Sequence, residues 1–525
     1  MTIGSNCPKP MGGSLCHQLK CQKRGLVLGL NRINALSLDR EKLGSDRLNM
    51  DSIFFFGSTQ KHDQERLLFI LLPLDFEKAL GVTYLSCKNM PLMTHLCKRF
   101  YIVNKQTPNV NQIIGHISTK ELSVQLDNPE FTFVDIRPSA AYNGWRLKDE
   151  ARGGHIRGAI SLPFSWIKQL SNQELESLTA SKGITSKSTI VVYGYKGDTC
   201  SEMANILWNL GIRKVFIYEA GIQEWTAELG LPMDRLANYE KLVHPEWVQN
   251  LISGKNPENF PNKDYRLIEV SFKGFEEYKV GHIPGAYHFD LASIECAPTW
   301  NICSDNELLK TLLALGITCK SMVVLYGRNI MTATRAASVL LYAGVEDVRL
   351  LDGGFDSWLQ AGYAVGTGAR QPIPVEDFGG TIPGRREYII DIDTTKALLA
   401  DELGVLVSVR SWDEYIGKTS GYDYIQAKGH IPGAVWGHSG SDPHHMEDYR
   451  NPDSTMRSYR EIESFWQKAG ITPDKKVAFY CGSGWRASET FFYAYLMGWP
   501  NITVYDGGWL EWSQDANNPI ALGEP

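Results

Sequence analysis

No Cys-x-x-Cys pair occurs anywhere in this chain of 525 residues. Its ten cysteines stand apart, and five of them (Cys7, Cys16, Cys21, Cys87 and Cys97) fall in the first hundred residues. That spacing argues against a zinc site. The other five (Cys200, Cys296, Cys303, Cys319 and Cys481) are expected to make no disulfide framework. Long apolar runs are missing from the N-terminal part as well. Its best, Leu67 to Leu74, is eight residues with a proline inside, far short of a spanning helix. Nor does the start read as a signal peptide: Cys and His interrupt it, and Gly25 to Leu30 is too short an apolar stretch. Positive charge is scarce where most of the chain lies. Residues 1–110 carry 15 Lys/Arg against 8 Asp/Glu, a net of +7, so the remainder stands at −13 within a whole-chain charge of −6. An acidic body argues against nucleic acid and anionic membranes as partners.

What the chain has is a repeat. A Gly-His-Ile-x-Gly-Ala string occurs at Gly154 to Ala159, Gly281 to Ala286 and Gly429 to Ala434. Each is followed by a short apolar run ending in tyrosine: Ile190 to Tyr193, Val323 to Tyr326, Val477 to Tyr480. Each then reaches a third motif, Tyr218-Glu-Ala-Gly221, Leu351-Asp-Gly-Gly-Phe355 or Tyr505-Asp-Gly-Gly-Trp509. From the residue after the tyrosine to the acid of the last motif the step is 25 in every copy (194 to 219, 327 to 352, 481 to 506). Chance does not hold that register three times. Each copy opens with a buried strand, at Phe131 to Ile136, Tyr265 to Val270 and Gly404 to Val409. Apolar strands alternating with helical stretches such as Ser201 to Trp208 and Ala336 to Tyr342 predict an α/β fold. The expected architecture is three tandem modules, each a mostly parallel sheet flanked by helices, plus an N-terminal extension. The boundaries are 1–112 for the unassigned extension, 115–233 and 241–365 for the first two modules, and 386–522 for the third. The linkers fall near 231–242 and near 366–386, the latter rich in Gly and Pro.

The chemistry concentrates in Val477-Ala-Phe-Tyr-Cys481-Gly482-Ser483-Gly484-Trp485-Arg486-Ala-Ser-Glu489. A buried strand leads to a cysteine, then to a glycine-bearing turn, then to a helix over 488–496. A lone cysteine is ordinarily a buried structural residue. At the carboxyl end of a strand and under a helix N-terminus, where ligands of α/β sheets bind, it is placed to be a thiolate. The first two copies have Gly194 and Gly327 at this position. Cys200 lies six residues beyond Gly194, within a predicted helix, and does not inherit the role. His430 reads as a satisfied loop histidine rather than an acid or base.

This segment resembles the active-site loop of the rhodanese (sulfurtransferase) family, in which a six-residue loop opens with a cysteine that accepts sulfur as a persulfide. The opening Cys481-Gly482-Ser483-Gly484 looks like the loop of 3-mercaptopyruvate sulfurtransferases, and Trp485-Arg486 departs from it. The whole string most resembles a three-domain bacterial group with one catalytic domain at the C-terminus. Phosphatases that share the fold use a longer loop, with Arg six positions after the Cys. Here Arg486 is five positions on, which suits attack on sulfur.

The resemblance implies that Cys481 is the nucleophile, that residues 482 to 486 cradle the donor, and that the first two modules carry no sulfur. It calls for no metal and no organic cofactor. Family members write the first strand as Val-Asp-x-Arg. The third copy reads Val407-Ser408-Val409-Arg410, so the acid is lost while Arg410, with Lys418 nearby, stays a candidate substrate contact. Arg410 has a second reading as a structural ion pair. Arg486 has two as well: a guanidinium that receives an anionic donor, or a partner of Glu489 that only fixes the loop. The expected partners are a small anionic donor (thiosulfate or 3-mercaptopyruvate) and an acceptor (cyanide, a thiol or a protein thiol). The alternative is a persulfide relay or scaffold that docks a protein donor such as a cysteine desulfurase. A thiol that cycles as a persulfide sits comfortably in the cytoplasm. The resembled group includes exported, periplasmic members, so the compartment stays open.

Overall fold

The computed structural model describes residues 52–57, 68–73, 114–261 and 264–524. It divides into two compact units, 1–106 and 107–525. In the first, Ser52–Gly57 and Leu68–Pro73 pair antiparallel. The rest of the extension expected over 1–112 lies outside the described residues.

The second unit holds three five-stranded sheets, and every pairing within them is parallel. The third sheet runs Ile389–Ile390, Ile502–Tyr505, Lys476–Tyr480, Gly404–Ser408, Val435–Trp436 in spatial order. The first two repeat that order, with Thr189–Tyr193 and Met322–Tyr326 at their centres. Those central strands are buried along their length. Burial on both faces is why they read as continuous apolar runs rather than alternating ones. Small antiparallel pairs, such as Glu295–Cys296 with Asn301–Ile302, decorate the sheets.

The repeated motifs are the bolts of each module. In every copy the histidine ring stacks on a tyrosine (His155 on Tyr142, His282 on Tyr278, His430 on Tyr415) and its Nδ1 faces that tyrosine's carbonyl at 2.8 to 3.0 Å. The same tyrosine donates its hydroxyl to the motif's final alanine carbonyl, at 2.8 Å each time. The isoleucine N–H of the motif donates to the tyrosine that ends the central strand (Tyr193, Tyr326, Tyr480). Constant spacing has its cause here too. The N–H of Ile222, Phe355 or Trp509 donates to the carbonyl of Gly194, Gly327 or Cys481, 28 positions earlier in each copy. An inserted residue would break that bond.

Modules two and three share one core. The helix Ile330–Ala343, which follows the Gly327 loop, packs on Trp485–Leu496, which follows Cys481, and Ser338 Oγ donates to Ser488 Oγ at 3.0 Å. Module one is tied to module three by Lys182 to Glu461 and by the Trp166 indole to Asp453, each at 2.7 Å. The expectation for the cysteines needs one correction. Cys296 and Cys303 form a disulfide that closes the small hairpin of module two. It staples a six-residue turn, a local device invisible to an argument about frameworks. Among the described residues no helix is long and apolar enough to cross a membrane.

Candidate active site

Val477, Ala478, Phe479 and Tyr480 are buried, which fixes the carboxyl end of the strand. Cys481 follows with 1% of its surface exposed. The carbonyls of Cys481 and Gly482 are taken by the N–H groups of Trp509 and Leu510, at 2.8 and 3.0 Å. Gly482 lies flat against the Tyr422 ring; a Cβ there would stand 2.5 Å from Tyr422 Cε2. Gly484 turns the chain with φ +91°, a left-handed conformation that suits glycine. The helix Trp485–Leu496 begins three residues before the expected 488. Its first N–H groups have no partner inside the helix, and the helix starts four positions after Cys481.

Arg486 is wholly buried and grips Glu414 in bidentate fashion, Nη1 to Oε2 at 2.8 Å and Nη2 to Oε1 at 2.9 Å. Arg410, also wholly buried, reaches the same carboxylate through Nε at 3.3 Å. It gives Nη1 to the Gly429 carbonyl at 2.7 Å and lies over the Trp509 ring. Burial pushes the Glu414 carboxyl up, but Arg486, Arg410 and the Ser411 N–H outweigh it and hold the group at about 2. Two guanidiniums and one carboxylate leave a net positive charge beneath the loop. Glu489 is not the partner of Arg486: it is held by Arg450 at 2.6 and 2.9 Å. The acid missing at Ser408 is thus replaced by Glu414, four residues after Arg410. In module one, Asp135 and Glu150 hold Arg137 directly.

The structure therefore brings Cys481 to Arg486 together at one strand end, with Arg410 packed beneath them and committed to Glu414. Lys418 is not among them. Its ammonium is exposed and pairs with exposed Asp413 at 2.8 Å, an arrangement worth little energetically. Glu414, Tyr422 and, from module two, Glu295 and Arg335 complete the surroundings. One of these had a sequence signal: Ser411-Trp-Asp-Glu414 is a capping box.

The upstream positions are built differently. A Cβ at Gly327 would lie 2.5 Å from the Asn329 carbonyl oxygen and 2.6 Å from Thr332 Oγ1. Gly327→Cys should consequently load no sulfur, and peptide mapping after donor treatment checks it; a persulfide at 327 would contradict the geometry. Cys200 starts the helix Cys200–Asn209, where burial, helped by Asp198, pushes its thiol up to about 12. It stays a neutral thiol near pH 7.

The family profile for the rhodanese-like domain matches residues 118–228, 244–361 and 391–515. The thiosulfate sulfurtransferase YnjE of Escherichia coli is 41% identical over 401 residues, covering 76% of this chain and 91% of that protein. The sulfur carrier protein TtuD of Thermus thermophilus is 33% identical over 305 residues, 55% of this chain and 99% of its own. Wild-type EanB is similar in structure, with a TM-score of 0.76, 43% identity, and coverage of 78% of this chain and 98% of that one. Another EanB structure, at the same identity, holds ergothioneine covalently linked to a cysteine persulfide. Three matched domains, sulfur-transferring relatives and this loop make the chain a member of the rhodanese family of sulfurtransferases, in the three-domain form.

Proposed function

We propose that this protein moves a sulfane sulfur from a small anionic donor to a thiophilic acceptor through a persulfide on Cys481. The observation that carries the reading is the position of Cys481, between a buried strand end and the N-terminus of a buried helix, above a net positive arginine cluster. That field favours the anionic donor and the negative charge carried by sulfur during transfer. With thiosulfate, the Cys481 sulfur attacks the outer sulfur, the S–S bond breaks, and sulfite leaves with the electron pair. With 3-mercaptopyruvate, the C–S bond breaks and pyruvate leaves after gaining a proton. An acceptor such as cyanide or a thiol then attacks the outer sulfur of the persulfide and returns the Cys481 thiolate, a ping-pong cycle.

Intact-mass measurement after exposure to each donor tests this. One added sulfur, mapped to Cys481 and removed by cyanide, is expected. A protein that stays unloaded with both donors would overturn the donor assignment. A second reading, a persulfide relay, has the TtuD likeness in its favour. It predicts loading from a protein donor such as a cysteine desulfurase with little small-molecule turnover. The aromatic surroundings of the loop (Tyr422 stacked on Tyr424 at 5.1 Å, and Trp485) make hercynine, which EanB binds, a further acceptor worth including.

A further inference from the structure

Module two has no nucleophile, yet its residues reach the catalytic loop of module three. The indole Nε1 of Trp485 donates to both oxygens of Glu295, at 2.9 and 3.1 Å. Arg335 donates its Nε to the same carboxylate at 2.8 Å and places Nη2 2.7 Å from Asp506 Oδ1. Its Nη1 lies so near Gly484 that a Cβ there would meet it at 3.0 Å. Asp506 accepts the Ile302 N–H at 2.7 Å, and Asn301 Nδ2 donates to Glu511 at 3.1 Å. Phe272 stands edge-on to the Trp485 ring, with centroids 5.6 Å apart. Glu295, Asn301 and Ile302 all belong to the hairpin that the Cys296–Cys303 disulfide closes. Glu295 and Arg335 are both buried.

Trp485 is the first residue of the helix that starts four positions after Cys481. Whatever holds its indole also fixes where the helix starts and so where the loop N–H groups point. A buried carboxylate that accepts an indole N–H and a guanidinium at once leaves the ring little freedom. We infer that Glu295 of the nucleophile-free second module is a positioning residue for sulfur transfer, acting through Trp485 on the loop that receives the sulfane sulfur. The inference rests on the Cys481 reading above and goes beyond it: module two is part of the catalytic apparatus rather than only a docking platform.

The test uses the full-length chain and measures the rate of sulfur loading of Cys481 against thiosulfate concentration, with thermal melts alongside. Glu295→Ala and Trp485→Phe should each lower the maximal loading rate by about tenfold or more, with the half-saturating concentration within about twofold of wild type. Because they act on one contact, the double variant should be no slower than the slower single variant. Asn301→Ala, which loosens the same hairpin without touching Trp485, should load at the wild-type rate. Glu295→Gln, which keeps an acceptor for the indole, should recover part of the loss. Should Glu295→Ala fail to fold, Trp485→Phe against Asn301→Ala still decides. Equal slowing by Asn301→Ala would make the contact mere glue between modules, and unchanged maximal rates in Glu295→Ala and Trp485→Phe would overturn the inference. Loading of wild-type Cys481 in the same experiment tests the underlying reading separately.

Discussion

Cys481→Ser should take up no sulfur from thiosulfate or 3-mercaptopyruvate, and its cyanide-dependent thiocyanate formation should fall by at least about a thousandfold. The substitution changes one atom in a side chain of which 1% is exposed, so the fold and the Trp509 N–H bond to the 481 carbonyl should survive. What disappears is the proposed nucleophile. A serine hydroxyl stays protonated at neutral pH and is a far weaker nucleophile toward sulfur than a thiolate. Among the described residues, Cys200 is kept neutral by burial, Cys296 and Cys303 are joined, and Cys319 is buried with its thiol donated to the Gly379 carbonyl. Intact mass with peptide mapping and a thiocyanate assay are the measurements. Turnover at the wild-type rate would remove Cys481 from the mechanism.

Glu414→Gln should be the most destabilising single change at the site, costing about 3–5 kcal/mol at neutral pH. It leaves Arg410 and Arg486, both wholly buried, without their shared counter-charge. The acid limb of the stability curve carries the same information. Glu414 is held at about 2 against an ordinary 4.5. A depressed carboxyl contributes stability that is fully present above the unfolded value and is lost as pH falls through the folded one. The difference between wild type and Glu414→Gln should therefore be full above about pH 5 and shrink by about 3 kcal/mol as pH falls from about 4.5 toward 2. Denaturant melts of both proteins across that range measure it. A gap that stays constant between pH 6 and pH 3 would show that the carboxylate does not carry the cluster's charge balance. Arg486→Ala should weaken the fold for the converse reason, by leaving Glu414 with Arg410 alone.

The loop was legible because its requirements are local. A strand end, a residue that may turn left-handed at Gly484, and a helix start are all written within nine residues of Tyr480. The three-fold register was legible because the carbonyl just after each central strand must meet an N–H a fixed number of residues later. Repetition of that bond shows as repetition of spacing. Arg410 and Lys418 show the limit. Both are cations near the right strand, and sequence proximity treats them alike. The fold buries Arg410 against Glu414 and Trp509 and leaves Lys418 in solvent with Asp413. Arg486 was expected to face a donor or to pair with Glu489 one turn along its helix. It does neither of these with its Nη groups, because Arg450 has taken Glu489 and Glu414 reaches across from another helix.

By itself, then, the sequence determined three α/β modules and the strand–loop–helix that presents Cys481. Those follow from turn geometry, burial periodicity and hydrogen bonds between neighbours along the chain. Only the tertiary structure decided which charges neutralise one another and which module shapes the loop. Glu414 lies 72 residues from Arg486, and Glu295 lies 190 from Trp485. A buried charge must find its partner wherever packing brings one, since leaving it unpaired in the interior costs several kcal/mol, and no local pattern in the chain records which one it will be.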